Sequence, residues 1–232
     1  MVENIWVIQN WNYGLGNFIN LTPTIKLMAD HFGEPIPVYF DLDFIRQCFI
    51  DCPFMKILDK KPDNKSLFGS WLINPRNDVP DYVNVYREVC KSLPLGTELP
   101  HTYVDRAEEI DLPSGQYTLF IRGSGTELTD YVQSKTPDNK YYTERMKGMC
   151  IFTGSDNDLA RANGMFDHMT QHMGNIRLSL ALIREANLVV ANDSGLAHAA
   201  GAMNKNMDLL WKDTSRPKNE NPGVNTKYIS CL

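Results

Sequence analysis

The sequence predicts an α/β protein built as two tandem units, each a parallel sheet with crossover helices. Three observations carry this. Short apolar runs alternate with amphipathic stretches in both halves of the 232 residues. A Pro- and Gly-marked break separates the halves between Glu98 and Gln116. Several strand candidates end directly on small, polar or Gly-rich turns, the usual punctuation of βα units.

In the first half, Asn4 to Gln9 read as a strand, because Ile5, Val7 and Ile8 fit a strand buried on both faces better than strict alternation. A Gly-containing turn, Asn10 to Gly16, leads into a helix that runs to Phe32 with Ile19, Ile25, Leu27 and Met28 among its apolar positions. Pro23 inside that pattern should either kink the helix or mark its true first turn with Thr22 as cap. Gly33 ends it. Pro37 to Phe40 and Phe54 to Leu58 read as strands around a short helix, Asp43 to Ile50. A polar loop at Lys60 to Ser66, a strand at Leu67 to Ile73 and a helix at Tyr82 to Leu93 follow.

Pro100, Pro113, Gly115 and the charged stretch Asp105 to Asp111 read as a linker, giving a first unit over 1–105, a linker over 106–116 and a second unit over 117–232. The second unit opens with a strand at Tyr117 to Ile121 and a long polar loop from Gly123 to Lys140. Strands are expected at Met149 to Thr153 and Leu188 to Ala191, and helices at Asn157 to His172, Leu178 to Ala186 and Leu196 to Met203.

Composition excludes several function classes. With 43% hydrophobic and 22% charged residues the chain is ordinary globular material. Its net charge of −5 divides into about −6 before Pro113 and +1 after it, so no overall basic field for nucleic acid exists. Five scattered cysteines argue against a disulfide framework, and Cys48 and Cys52 lack the further N or S ligands of a zinc site. Apolar runs such as Leu188 to Ala191 fall far short of the roughly 20 residues that span a bilayer. Met1 to Asn4 show no basic, apolar leader, so a soluble protein kept inside the cell is expected.

The strongest chemical signal is Asn187-Leu-Val-Val-Ala-Asn-Asp-Ser-Gly-Leu-Ala-His-Ala-Ala-Gly201. A buried strand closes at Asn192, Asp193-Ser194-Gly195 turn the chain, and an Ala-rich helix begins. The first amides of a helix have no internal partner and sit at the positive end of its dipole, so a phosphate suits that corner. Asp193 or Ser194 serving only as a helix cap is the simpler alternative. His198, one turn on, could face the same pocket or be a packed residue.

Gly14-Leu-Gly-Asn17 offers a second flexible strand end, without the third glycine of a dinucleotide fingerprint, since Ile19 stands there. Arg122-Gly-Ser-Gly-Thr126 offers a third, where Arg122 could pair with phosphate and Ser124 and Thr126 could donate hydroxyls. It is not a Walker loop, which ends Gly-Lys-Ser/Thr. Ile151-Phe-Thr-Gly-Ser-Asp156 adds Thr153 and Gly154 to the same rim.

Taken in order, these segments resemble the family-nine glycosyltransferases, typified by the ADP-heptose:lipopolysaccharide heptosyltransferases. Gly14-Leu-Gly-Asn-Phe-Ile-Asn-Leu-Thr-Pro-Thr-Ile-Lys-Leu27 is similar to their N-terminal pattern, and Ile183 to Ala202 resembles their C-terminal signature. Leu119-Phe-Ile-Arg-Gly-Ser-Gly and Cys150-Ile-Phe-Thr-Gly fall where the family has second-lobe strands.

The resemblance implies a GT-B fold, two Rossmann-like lobes with parallel sheets facing a cleft. It also implies inverting transfer from a nucleotide-sugar co-substrate, with no metal and no further cofactor. Asp193, Ser194, Gly195 and Leu196 would surround the donor, with Gly14, Gly16, Arg122, Gly123, Ser124, Thr126, Thr153 and Gly154 completing its site. His198 would support the loop, and Lys135 or Lys140 would meet the phosphate.

Two departures stand out. The family's presumed base is the Asp of Gly-x-Gly-Asp, and Asn17 occupies that place. An amide cannot take a proton at neutral pH, so Asn17 could only orient the acceptor, leaving Asp41, Asp43 or another carboxylate as base. The chain is also markedly shorter than typical members, which implies trimmed peripheral helices and a reduced acceptor lobe. The acceptor would be a glycan or lipid-linked sugar, or, as an alternative, a hydroxymethylated base in DNA. A chain that keeps donor binding and has lost turnover is the non-enzymatic reading. A cytoplasmic setting in a bacterium or a virus-infected host cell follows from the same resemblance.

Overall fold

The structure is a computed structural model and describes residues 7–9, 14–62, 86–87, 89–90, 93–96, 98–107, 112–123, 137–212 and 225–231. It contains two parallel sheets. The first has the order β1 (Val7–Gln9), β2 (Ile36–Phe40), β3 (Met55–Leu58), with α1 (Leu15–Phe32) and the short α2 (Asp43–Arg46) in the connections.

The second sheet uses β4 (Thr118–Ile121), β5 (Cys150–Gly154), β6 (Thr170–Met173), β7 (Leu188–Asn192), β8 (Met207–Trp211) and β9 (Thr226–Ser230). Its helices are α3 (Asn139–Thr143), α4 (Asp156–Arg161), α5 (Ile176–Glu185) and α6 (Gly195–Ala202). The spatial order is β6-β5-β4-β7-β8-β9, every pair parallel. The chain builds outward in one direction from β4 and then in the other from β7. Their junction is the topological switch point, outside which open α/β sheets bind ligands.

Val189, Val190, Ala191, Leu209 and Leu210 are all fully buried, as expected of central strands covered on both faces. The expected α/β architecture of parallel sheets with crossover helices holds.

The elements differ from expectation where tertiary contacts override local pattern. Helix α1 begins at Leu15 and runs through Pro23. Proline leaves the Ile19 carbonyl without its usual amide, and the Thr22 hydroxyl donates to that carbonyl at 2.7 Å. The same hydroxyl accepts from the Tyr103 amide at 2.7 Å, so Thr22 is a mid-helix bridge and not a cap. Gly33 ends α1 at φ 73, its amide donating to Ala29 O at 2.8 Å, a left-handed stop that suits glycine.

Helix α2 covers only Asp43–Arg46 of the expected segment. The helix expected to reach His172 stops at Arg161, because Asn163 and Gly164 take positive φ of 49 and 75. Its remaining length becomes turns and the half-exposed strand β6. Strands β8 and β9 were not anticipated, and α3 lies at the end of the segment read as loop. The strand expected at Leu67 to Ile73 lies outside the described residues, as does most of the helix expected from Tyr82, of which Tyr86, Arg87 and Val89 are helical.

The segment read as linker is not a free tether. Val104, Asp105 and Ala107 are buried. The second sheet's α6 packs on α1 of the first, and Arg184 of α5 donates to the carbonyls of Arg106 and Ala107. Among the described residues, no helix is long and apolar enough to cross a membrane.

Candidate active site

A cavity of about 460 Å³ opens at the switch point, between the ends of the two sheets. Its second-lobe wall comes from the residues after β4 (Ile121, Gly123), β5 (Gly154, Ser155, Asp158), β6 (Gly174, Asn175, Ile176, Ser179) and β7 (Asp193 to Leu196, His198). Its first-lobe wall is Gly14 to Asn17 and Phe44. A parallel sheet forces this convergence, because every strand end feeds the start of a helix on the same side.

The N-termini of α1, α4, α5 and α6 therefore all point at one space. Their charges differ. At α4, Ser155 and Asp158 form a capping box, so a carboxylate already sits on that dipole. At α5 and α6 the caps are neutral. Asn175 Oδ1 accepts from the Leu178 amide at 3.1 Å, and Ser194 Oγ from the Ala197 amide at 3.3 Å. At α1 the N-cap is Gly14, with no side-chain cap and no acidic residue in the first turn. Three helix ends thus bring positive dipole ends to the cavity, with the Asp193 carboxylate beside that of α6.

The corner at Asp193 to Leu196 faces the cavity as the sequence suggested, and Ser194 both caps α6 and lines the wall. His198 is buried, with Nε2 3.8 Å from Asp193 Oδ1. Its ring presses on Gly16 of the other lobe, where an added Cβ would stand 2.5 Å from His198 Cδ2. A Cβ on Gly195 would come 2.9 Å from Leu15 Cβ and 3.3 Å from the Gly16 amide nitrogen. Glycine is required at both places by close approach between lobes.

Gly123 meets the Asp158 carboxylate in the same way. The amide of Gly123 donates to Asn192 Oδ1 at 3.0 Å, and the Tyr142 hydroxyl donates to the same oxygen at 3.2 Å. One buried amide side chain thereby ties the ends of β4 and β7 together.

Other expected site residues lie elsewhere. Arg122 is not among the cavity-lining residues. Alternation along β4 turns Ile121 and Gly123 toward the space and Arg122 away, its guanidinium over the Tyr142 ring at 5.8 Å. Burial first of all lowers the Arg122 pKa, the ordinary cost of a cation removed from water. Thr153 sits one layer below the wall, its hydroxyl 2.8 Å from that of Ser179. Lys140 lies over the Tyr141 ring at 4.8 Å and does not line the cavity.

Asp41 pairs with Lys61 at 3.4 Å, and Asp43 accepts from Gln47 at 2.6 Å; neither lines the cavity, where their neighbour Phe44 does. Ser124, Thr126 and Lys135 lie outside the described residues. Sequence reasoning missed Ser155, Asp158, Asn175 and Ser179 as wall residues. The Ser155-x-x-Asp158 capping box was a readable signal, and so was Gly174-Asn175 ahead of an amphipathic helix.

Two Rossmann-like lobes closing on such a cavity define the fold class, GT-B. Residues 144–230, most of the second lobe, match the sequence model of glycosyltransferase family 9 (heptosyltransferase).

Solved structures of the same fold include a family 9 glycosyl transferase from Veillonella parvula (TM-score 0.73, 13% identity, 98% of this chain and 86% of that one). E. coli ADP-heptose lps heptosyltransferase II gives a TM-score of 0.68 at 13% identity, over 97% of this chain and 90% of that one. E. coli heptosyltransferase WaaC with ADP gives 0.67 at 12% identity, over 97% and 92%. At such identities the likeness is one of fold. No curated protein matches the chain in sequence.

Proposed function

We propose that the chain transfers a sugar from a nucleoside-diphosphate donor to a hydroxyl acceptor, inverting the anomeric carbon and using no resident metal. The observation that carries this reading is the convergence of the α1, α5 and α6 N-termini on one cavity at the switch point. A diphosphate against Gly195 and Leu196 would meet helix amides and the positive ends of dipoles. Negative charge grows on that group as its bond to the sugar breaks, so these fixed dipoles act most strongly in the transition state.

Asp158 gives the donor its direction. A carboxylate on that wall repels a phosphate and suits the neutral hydroxyls of a ribose. With the nucleoside on that side, the sugar falls near Asp193, Asn17 and His198. His198, paired with Asp193, then takes the proton from the acceptor hydroxyl. The acceptor oxygen bonds to the anomeric carbon from the face opposite the diphosphate. The bond to the departing oxygen breaks with its electron pair on the diphosphate, and the imidazolium gives its proton to water. Asn17 orients the acceptor. The first half's charge of about −6 favours a glycan or lipid-linked acceptor over DNA.

Incubation with ADP-heptose first, then with a panel of nucleotide sugars, should release nucleotide and raise the melting temperature. Neither effect with any donor would sink the reading. In a working assay, His198→Gln should lower turnover by about 10²–10⁴-fold while ADP affinity holds.

A further inference from the structure

We infer that Arg177 is a positioning residue that holds the α5 corner of the cavity in register with the first lobe. This rests on reading the cavity as the donor site. Asn175 and Ile176 line the cavity, and Arg177 is the next residue of the same helix turn. A cation in the first turn sits where the helix dipole disfavours it, so helix stability does not explain the arginine.

Its contacts do. Nη1 donates to Gln47 O at 3.2 Å and to Asp105 Oδ2 at 3.4 Å, and Nη2 donates to Asp51 Oδ2 at 3.1 Å. All three acceptors belong to the first lobe or its connection. Asp105 is only 1% exposed and also accepts from the Asp51 amide at 2.9 Å and from the Tyr103 hydroxyl at 3.1 Å. The carboxylate is thus locked in place, and the planar guanidinium reads three oxygens at once, a geometry that a lysine cannot copy.

The cavity needs such a tie, because its walls come from separate lobes. Arg184, two turns further along α5, grips Arg106 and Ala107 in the same connection but lies away from the cavity. It is the natural control.

The experiment measures ADP and pyrophosphate affinity by calorimetry and backbone hydrogen exchange of segments 45–52 and 174–180. Arg177→Gln should weaken ADP binding at least tenfold and speed exchange in both segments, with Arg177→Lys between it and wild type. Arg184→Gln should lower the melting temperature and leave ADP affinity unchanged. Equal affinity losses in the two Gln variants would overturn the positioning role, as would unchanged exchange and affinity in Arg177→Gln. If Arg177→Gln fails to fold around the bare Asp105, the double variant with Asp105→Asn removes both charges and should show the same affinity loss. Retained affinity in that double variant also overturns the role. If the wild type binds neither ADP nor pyrophosphate, the donor reading fails, and the exchange comparison still decides whether Arg177 ties the lobes.

Discussion

On the first-lobe side of the cavity, α1 begins on Gly14 with no side-chain cap, whereas on the second-lobe side α6 begins on Ser194, whose hydroxyl accepts from the Ala197 amide at 3.3 Å. The α6 end is stabilised by its own residues. The α1 end is held by its neighbour, with His198 against Gly16 and Leu15 against Gly195. A ligand facing α6 meets amides that a local cap has already arranged. A ligand facing α1 meets amides that stay in place only while the lobes stay together. The same backbone device is therefore self-sufficient on one side and borrowed on the other.

The largest way to break this comparison is Gly16→Ala. The new Cβ would stand 2.5 Å from His198 Cδ2 and 3.0 Å from Nε2. Overpacking of this kind costs about 1–3 kcal/mol, and the displaced imidazole should reduce nucleotide release at least about 100-fold. A variant that melts and turns over like wild type would mean that the α1 end does not depend on its partner. Ser194→Ala should cost about 1 kcal/mol, seen as a melting temperature about 2–4 °C lower for a chain of this size.

Asp105 sharpens the comparison through pH. Burial, above all, raises its pKa from the ordinary 3.8, with Asp51 adding to the rise and the Asp51 amide, the Tyr103 hydroxyl and Arg177 opposing it. The folded state therefore binds this proton more tightly than the unfolded chain. The resulting stability is fully present below the ordinary value and is lost as pH climbs through the raised one. Asp105→Asn should flatten that part of the melting temperature against pH, and an unchanged slope would contradict the assignment.

Gly14→Ser is the smallest test. The residue is extended at φ −71, ψ 174, and an added Cβ meets nothing within 4 Å. A serine cap should therefore add a few tenths of a kcal/mol, while its hydroxyl competes with ligand for an α1 amide and lowers ADP affinity slightly.

The α6 corner was legible because its causes are local: a buried strand, a polar turn and an Ala-rich helix lie within Leu188 to Ala202. The four-residue β6 was not, since Thr170, Gln171 and His172 carry too little apolar pattern to mark a half-exposed strand. Asp105 was read as the start of the charged stretch of a linker. Nothing near it announces a partner 72 positions away in Arg177. Asp41 and Asp43 sit at the right strand end, but side-chain direction there is set by Lys61 and Gln47, which sequence spacing does not reveal. Pro23 misled for a related reason, because its remedy, the Thr22 hydroxyl, depends on folding against Tyr103.

Buried side chains from both sheets form one continuous cluster, from Val38, Phe49 and Ile19 through Ala197 and Ala199 to Val189 and Leu209. Heating should therefore undo the molecule in a single calorimetric step, with no separate melting of either half. A half expressed alone would show water the oily strip that its companion covers, and would be expected to clump. The lobes of this protein are not exchangeable modules: grafting on a foreign first lobe would mean rebuilding both faces of the seam between α1 and α6.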